Sequence, residues 1–283
     1  MGFEIVQQKK CHGGYWKRLR HNSYVTKSTM TFSVFLPNLS EDVLNFPALF
    51  WLSGLTCDDQ NFVQKAHVEA VANELGMIII VPDTSPRGLD IAGQHDSYDF
   101  GESAGFYLDA TLAPWSTNYQ MYSYITMDLY ELVLSRYPVD PDRVGIFGHS
   151  MGGHGALTIA LKEPAKFRSV SAFAPICSPV HCPWGQKALT GYLGENKEQW
   201  LQYDSCELIK SGKRVAAILV DQGEADEFLP TQLNPDLLRQ ACQDAAIDLQ
   251  LNIREGYDHS YFFIRSYVEE HVRYHHLQLN KPN

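Results

Sequence analysis

The chain has 283 residues, 45% of them hydrophobic and 20% charged, with a formal net charge of −10. Such a length and composition suit one soluble α/β domain with a large core. The acidic excess excludes a general nucleic-acid-binding face, which needs surplus cations, but a small anionic ligand would need only a local Lys or Arg.

Met1–Lys10 lacks an uninterrupted apolar core of signal-peptide length, and no later stretch reaches the apolar length of a membrane-spanning helix. Val6 stands where a myristoylation pattern beginning at Gly2 requires Ser or Thr. The six cysteines (Cys11, Cys57, Cys177, Cys182, Cys206 and Cys242) are scattered and show no C-x-x-C pair. The expectation is reduced thiols, a cytoplasmic setting and no zinc or other metal.

In chain order, Tyr15–Val25 and Thr31–Leu36 alternate aromatic and β-branched residues with polar ones, predicting two antiparallel edge strands. Phe46–Leu52 is continuously apolar, as a strand buried on both faces requires, and it runs into the loop Ser53–Cys57. Phe62, Ala66, Ala70 and Val71 predict a helix ended by Gly76, and Met77–Val81 a further buried strand. The segment 83–122 is rich in Gly, Asp, Ser and Tyr without periodicity, and loops of that length usually carry or cover a site. A helix around Ile125–Val133, a strand at Val170–Ala174 and an irregular excursion at 178–206 follow. Then come a strand at Val215–Val220, a helix over Pro235–Ala246, a strand at Leu249–Ile253 and a helix from Ser260 to about His276. Alternating strands and helices predict one domain over 1–283, built on a mostly parallel sheet of about eight strands with helices on both faces.

Within that pattern, Val144–Phe147 leads into Gly148-His149-Ser150-Met151-Gly152 and then into an apolar helical segment. A G-x-S-x-G sequence between strand and helix is a nucleophile elbow, which exposes the serine hydroxyl at the top of a sheet. Side chains at 148 or 152 would crowd the neighbouring strand or helix. Ser150 is therefore the candidate nucleophile. A serine hydroxyl needs a base, and the base an orienting acid, which should follow in the order Ser, acid, His. Of eleven histidines, His259 lies in a loop just beyond the last strand. His271, His275 and His276 fall on the final helix, where a solvated or partly packed role is expected, and His149 and His154 read as packing or polar support. Beyond the strand ending at Val220, position favours Asp226 as the acid over Asp221 and Glu224. Asp258 reads as a cap for the final helix. The oxyanion hole should use the Met151 N–H at the start of its helix and a second N–H from the 53–57 loop, Leu55 first and Gly54 next.

Several blocks carry a likeness to a known family. They are Trp51–Cys57 followed by Gln60-Asn61-Phe62, Ala104–Thr111, Gly148–Ala156, Cys182–Lys187, Asp221-Gln222-Gly223 with Asp226, and Tyr257–Phe263. Spread in order along nearly the whole chain, they resemble the esterase D family, the S-formylglutathione hydrolases. The resemblance implies an α/β-hydrolase fold, a Ser150–Asp226–His259 triad, no cofactor, and hydrolysis of S-formylglutathione to formate and glutathione with esterase activity on short acyl esters. It also makes a homodimer reasonable. Glu102-Ser103 and the segment before Cys182 depart from the family pattern and bear on substrate preference, not on the chemistry. Gly54, Cys57, His149 and Trp184 are the pocket candidates, Trp184 either as one wall against a small acyl group or as packing that holds the 178–206 excursion in place. Cys57 is a candidate for thiol-reagent sensitivity beside the oxyanion loop. Lys187 and Arg87 lie in loops that could meet the tripeptide. The rival readings are a general carboxylesterase or acyltransferase of the same fold, and a non-catalytic binding protein.

Overall fold

The apolar runs of the sequence become the strands of one nine-stranded sheet in the computed structural model, which describes residues 2–38 and 44–281 and so leaves the ends of the 1–283 span outside it. The strands are β1 (Phe3–Cys11), β2 (Gly14–Asn22), β3 (Thr29–Leu36), β4 (Phe46–Leu52), β5 (Ile78–Pro82), β6 (Val139–His149), β7 (Ser169–Phe173), β8 (Ala217–Gly223) and β9 (Asp248–Arg254). Their order across the sheet is β1-β2-β3-β5-β4-β6-β7-β8-β9. The pairs from β1 to β5 along that edge are antiparallel, and every pair from β5 to β9 is parallel. β4, β5 and β7 are buried at every residue, as strands covered on both faces must be.

The count exceeds the expected eight because of β1, whose few apolar residues form no buried face: its residues are exposed or half-buried throughout. It is the true edge strand, folded against β2 through a His12–Gly13 turn in which both residues have positive φ. β2 and β3 are consequently interior, and β2 ends at Asn22 rather than Val25.

The helices are α1 (Asp59–Lys65), α2 (Glu69–Glu74), α3 (Met121–Ser123), α4 (Tyr130–Arg136), α5 (Met151–Lys162), α6 (Pro183–Leu193), α7 (Lys197–Leu201), α8 (Ser205–Lys210), α9 (Pro235–Asp244) and α10 (Tyr261–Leu279). The single helix expected over 62–71 is broken in two near His67, whose φ of 58° is left-handed. Between α3 and α4 the chain is π-helical over Tyr124–Leu129. The 178–206 excursion is helical, a correction to the irregular reading. Cys182 caps α6, Pro183 fills its first position, and Asn196 and Asp204 cap α7 and α8. Pro and Gly there mark helix starts, not loop. Among the described residues no helix is long and apolar enough to cross a membrane.

Two of the three α10 histidines are not solvated, while His276 is half-buried. His271 and His275 are fully buried against β7, where His275 bonds Ser169 Oγ through Nδ1 (2.6 Å) and Ser171 Oγ through Nε2 (2.8 Å). His271 Nδ1 shares the Ser171 hydroxyl at 2.8 Å, and its ring stacks on Phe173 at 3.8 Å. No group of residues suited to hold a metal occurs among the described residues.

Candidate active site

Ser150 sits between the end of β6 and the start of α5 with φ 57° and ψ −118°, a strained conformation for a residue with a side chain. Three backbone bonds hold it. Its N–H donates to Phe173 O (3.0 Å), and its carbonyl accepts from His154 N–H (3.0 Å) and Ile176 N–H (3.2 Å). The flanking glycines are sterically required. A Cβ at Gly148 would lie 2.3 Å from Gly152 O, and one at Gly152 would lie 1.9 Å from Leu52 O. Eleven of the twelve α5 residues are buried, so the helix is locked between sheet and surface elements.

The loops after β8 and β9 are stitched together by Glu224 N–H to Arg254 O (3.0 Å) and Ala225 N–H to Tyr257 O (2.9 Å). This brings Asp226 to His259. His259 Nδ1 bonds Asp226 Oδ2 at 2.5 Å, Gln222 Nε2 donates to the same oxygen at 3.1 Å, and Phe228 N–H donates to Oδ1 at 2.9 Å. Asp226 is 3% exposed as a residue and its side chain not at all, so the carboxylate's orientation is set by these donors. Asp221 does not compete. It lies on β8, where Asn252 and Arg254 donate to it at 2.7 and 2.9 Å. Burial opposes its charge, but His271, Asn252 and Arg254 outweigh that and lower its pKa. Glu224 is exposed. The cap of α10 is Ser260, whose Oγ accepts from Phe262 N–H at 3.2 Å; Asp258 instead braces Ser260 through its N–H (3.0 Å) and Oγ (2.6 Å).

Ser150 and His259 meet in the wall of a cavity of about 350 Å³. Among the described residues the Ser150 hydroxyl makes no hydrogen bond to His259; they face the same space, and such bonds commonly tighten only around a reacting group. Gly54 packs directly on the serine: a Cβ there would lie 3.2 Å from Ser150 Cβ and 3.3 Å from His149 Nδ1. Leu55 lines the cavity, Met151 opens α5, and the amide N–H of neither donates a hydrogen bond within the described chain. His149 is a cavity residue, its ring 4.3 Å from that of His259. Burial first, then the neighbouring His259, pushes its pKa well below the imidazole range, so it is neutral. His154 stands apart, with Nε2 3.1 Å from Phe106 O.

Trp184 both lines the cavity and anchors its own helix. Its Nε1–H donates to Tyr98 OH (3.0 Å), its backbone N–H donates to Gln232 Oε1 (3.0 Å), and its ring meets Phe228 at 4.7 Å. Tyr98 and Phe228 are cavity residues that the sequence reading missed. Phe228 could have been found: it sits two residues past Asp226, whose carboxylate accepts its N–H and so turns the ring to 5.0 Å from His259. Tyr98 lies in the aperiodic 83–122 segment and carries no signal. Cys57 lines the cavity, but burial drives its thiol up to about 11.

The two loop cations are already paired. Arg87 donates to both oxygens of Asp83 (2.7 and 2.8 Å), to Glu102 Oε1 (3.3 Å) and to Cys57 O (3.1 Å). It ties the 83–122 excursion to the loop beside the serine, and Glu102 is one of its acceptors. Lys187 pairs with Asp99 and Ser97.

Comparison with known proteins places the chain in a family. The Esterase family model matches residues 23–274. The S-formylglutathione hydrolase of Rattus norvegicus is 51% identical over 283 residues, covering 99% of this chain and all of that protein. The Bos taurus protein of the same name is likewise 51% identical, with the same coverage. The structure of an S-formylglutathione hydrolase from Agrobacterium tumefaciens superimposes with a TM-score of 0.95 at 44% identity, covering 98% of this chain and 99% of that one. A ferulic acid esterase at 20% identity and TM-score 0.73, covering 94% and 99%, shares the fold alone. A nine-stranded sheet with the elbow at its centre and relatives matched from end to end have one consequence: the chain belongs to the esterase family and, within it, to the S-formylglutathione hydrolases.

Proposed function

We propose that this chain hydrolyses S-formylglutathione to formate and glutathione, and short acyl esters by the same route. The observation that carries the reading is the cavity in which Ser150 meets an imidazole already held by a buried carboxylate. With Nδ1 bound to Asp226, His259 presents Nε2 as the base. It takes the Ser150 proton as Oγ attacks the formyl carbon, and Asp226 stabilises the imidazolium that forms. The undonated N–H groups of Leu55 and Met151 suit the oxyanion, the latter at the positive end of α5. The C–S bond then breaks, glutathione leaves with the proton held on His259, and a formyl ester remains on Ser150. Water deprotonated by His259 attacks that ester, and as the Oγ–C bond breaks His259 returns the proton to Ser150 Oγ and formate is released.

Trp184, Phe228 and Tyr98 line the cavity that holds Ser150, and the reading takes these rings as the walls that favour the smallest acyl groups. The reading takes the chain as one catalytic domain in a cytoplasmic setting, consistent with six free cysteines. Steady-state hydrolysis of S-formylglutathione by the wild type and by Ser150→Ala tests it. The variant should lose about 10⁴-fold or more in kcat. A wild type that strongly prefers p-nitrophenyl acetate to the thioester would favour a general carboxylesterase instead.

A further inference from the structure

A second cavity, of about 530 Å³, adjoins the first: Ser260 and Tyr261 line both. Its wall carries Lys65, His67 and Arg265 and not one carboxylate, in a chain with a net charge of −10. Lys65 and Arg265 are exposed and enter no ion pair among the described residues. They lie over aromatic rings: Lys65 Nζ is 5.5 Å from the Tyr261 ring and the Arg265 guanidinium 5.2 Å from that of Phe262. Arg87 and Lys187, by contrast, are neutralised by neighbouring acids.

The topology puts these cations beside the chemistry. Lys65 ends α1, which starts immediately after the Ser53–Cys57 loop, and its charge is felt at the Cys57 thiol in the first cavity. Arg265 lies one turn into α10, which starts two residues after His259. We infer that this second cavity binds the carboxylates of the glutathione moiety, with Lys65 and Arg265 as the residues that recognise them. The inference rests on the proposed substrate. Glutathione carries a carboxylate on each arm, at the γ-glutamyl and glycyl ends, so a thioester seated at Ser150 must extend anionic groups beyond the acyl cavity. The adjoining wall offers unpaired cations to receive them, and an Arg fork suits a carboxylate.

The test is inhibition of p-nitrophenyl acetate hydrolysis by S-methylglutathione, a tripeptide that cannot be cleaved, in the wild type, Lys65→Ala, Arg265→Ala, the double variant and Lys65→Arg. Both positions are exposed, and unchanged thermal melting checks that each variant is folded. The inhibition constant should rise about five- to tenfold in each alanine variant, as for loss of one partly exposed charge-assisted contact. The two losses should multiply in the double variant, Lys65→Arg should restore most of the affinity, and added salt should weaken wild-type inhibition. Inhibition constants within twofold of the wild type in both single variants would overturn the inference, as would a wild type that S-methylglutathione does not inhibit. Turnover of S-formylglutathione is measured separately. A wild type that binds S-methylglutathione through these cations but fails to cleave the formyl thioester would count against the proposed reaction, not against this site.

Discussion

Gly54→Ala isolates the coupling between the 53–57 loop, proposed to supply an oxyanion donor, and the serine. The new Cβ would stand 3.2 Å from Ser150 Cβ and 3.3 Å from both His149 Nδ1 and His149 O, so these groups must part by a few tenths of an ångström. The next residue is Leu55, whose amide moves with the shift. A misplacement of about 1 Å costs roughly 100-fold in a catalytic constellation, so a few tenths should cost about tenfold in kcat. Overpacking costs about 1–3 kcal/mol, and alanine returns about 0.4–1 kcal/mol by restricting the unfolded chain, leaving a net loss of about 1 kcal/mol. For a domain of this size, with an unfolding entropy of about 2 cal/mol/K per residue, this lowers Tm by only about 2 °C. The assay pairs kcat for S-formylglutathione with thermal melting. A large fall in rate with a small fall in Tm is expected. Wild-type kcat within twofold would refute the argument that Gly54 is small in order to let the loop approach the serine.

Asp226→Asn keeps the volume but replaces the acceptor shared by His259 and Gln222 with an amide. The imidazole should lose its tautomer, with kcat falling about 10³- to 10⁴-fold; retention of a tenth of the activity would exclude Asp226 as the orienting acid. Buried imidazoles predict acid lability. His149, His154, His271 and His275 all have pKa values lowered by burial, His154 to about 4. Between the unfolded value near 6.5 and the folded one, the unfolded chain binds more protons. Stability is therefore full above about pH 6.5 and falls as pH drops, by roughly 3 kcal/mol for His154 alone by pH 4. A Tm that stays constant from pH 7 to pH 5 would contradict this. Cys57, with its thiol near 11, should react slowly with iodoacetamide at neutral pH and about tenfold faster per pH unit above it; rapid labelling at pH 7 would show the site to be more open than it is here.

The elbow was legible because it is local. Gly148, Ser150 and Gly152 are spaced by the geometry of one turn, and the apolar run before them marks the strand. Asp226 and His259 were legible through chain order alone, since each follows a parallel strand whose end must reach the same sheet edge. Elements whose stabilisation is not written in their own side chains stayed hidden. β1 is exposed or half-buried throughout and is held by backbone pairing to β2, so it presents no buried apolar face. The excursion at 178–206 is built of short, capped helices whose Pro and Gly read as loop. His271 and His275 read as solvated or partly packed because two imidazoles interrupt the otherwise apolar buried face of α10; only their Ser169 and Ser171 partners on β7 explain the burial. Lys65 and Arg265 lie two hundred residues apart, and no spacing rule links them.

The account stands on acyl transfer through Ser150, and trapping the acyl-enzyme tests that step most directly. S-formylglutathione turnover is quenched in acid within the first turnovers, the protein is digested, and the peptides are mapped by mass spectrometry. The account predicts the added mass of one formyl group on the peptide containing Ser150, absent from Ser150→Ala. A formyl adduct on Cys57 or on another residue, with Ser150 unmodified, would contradict it.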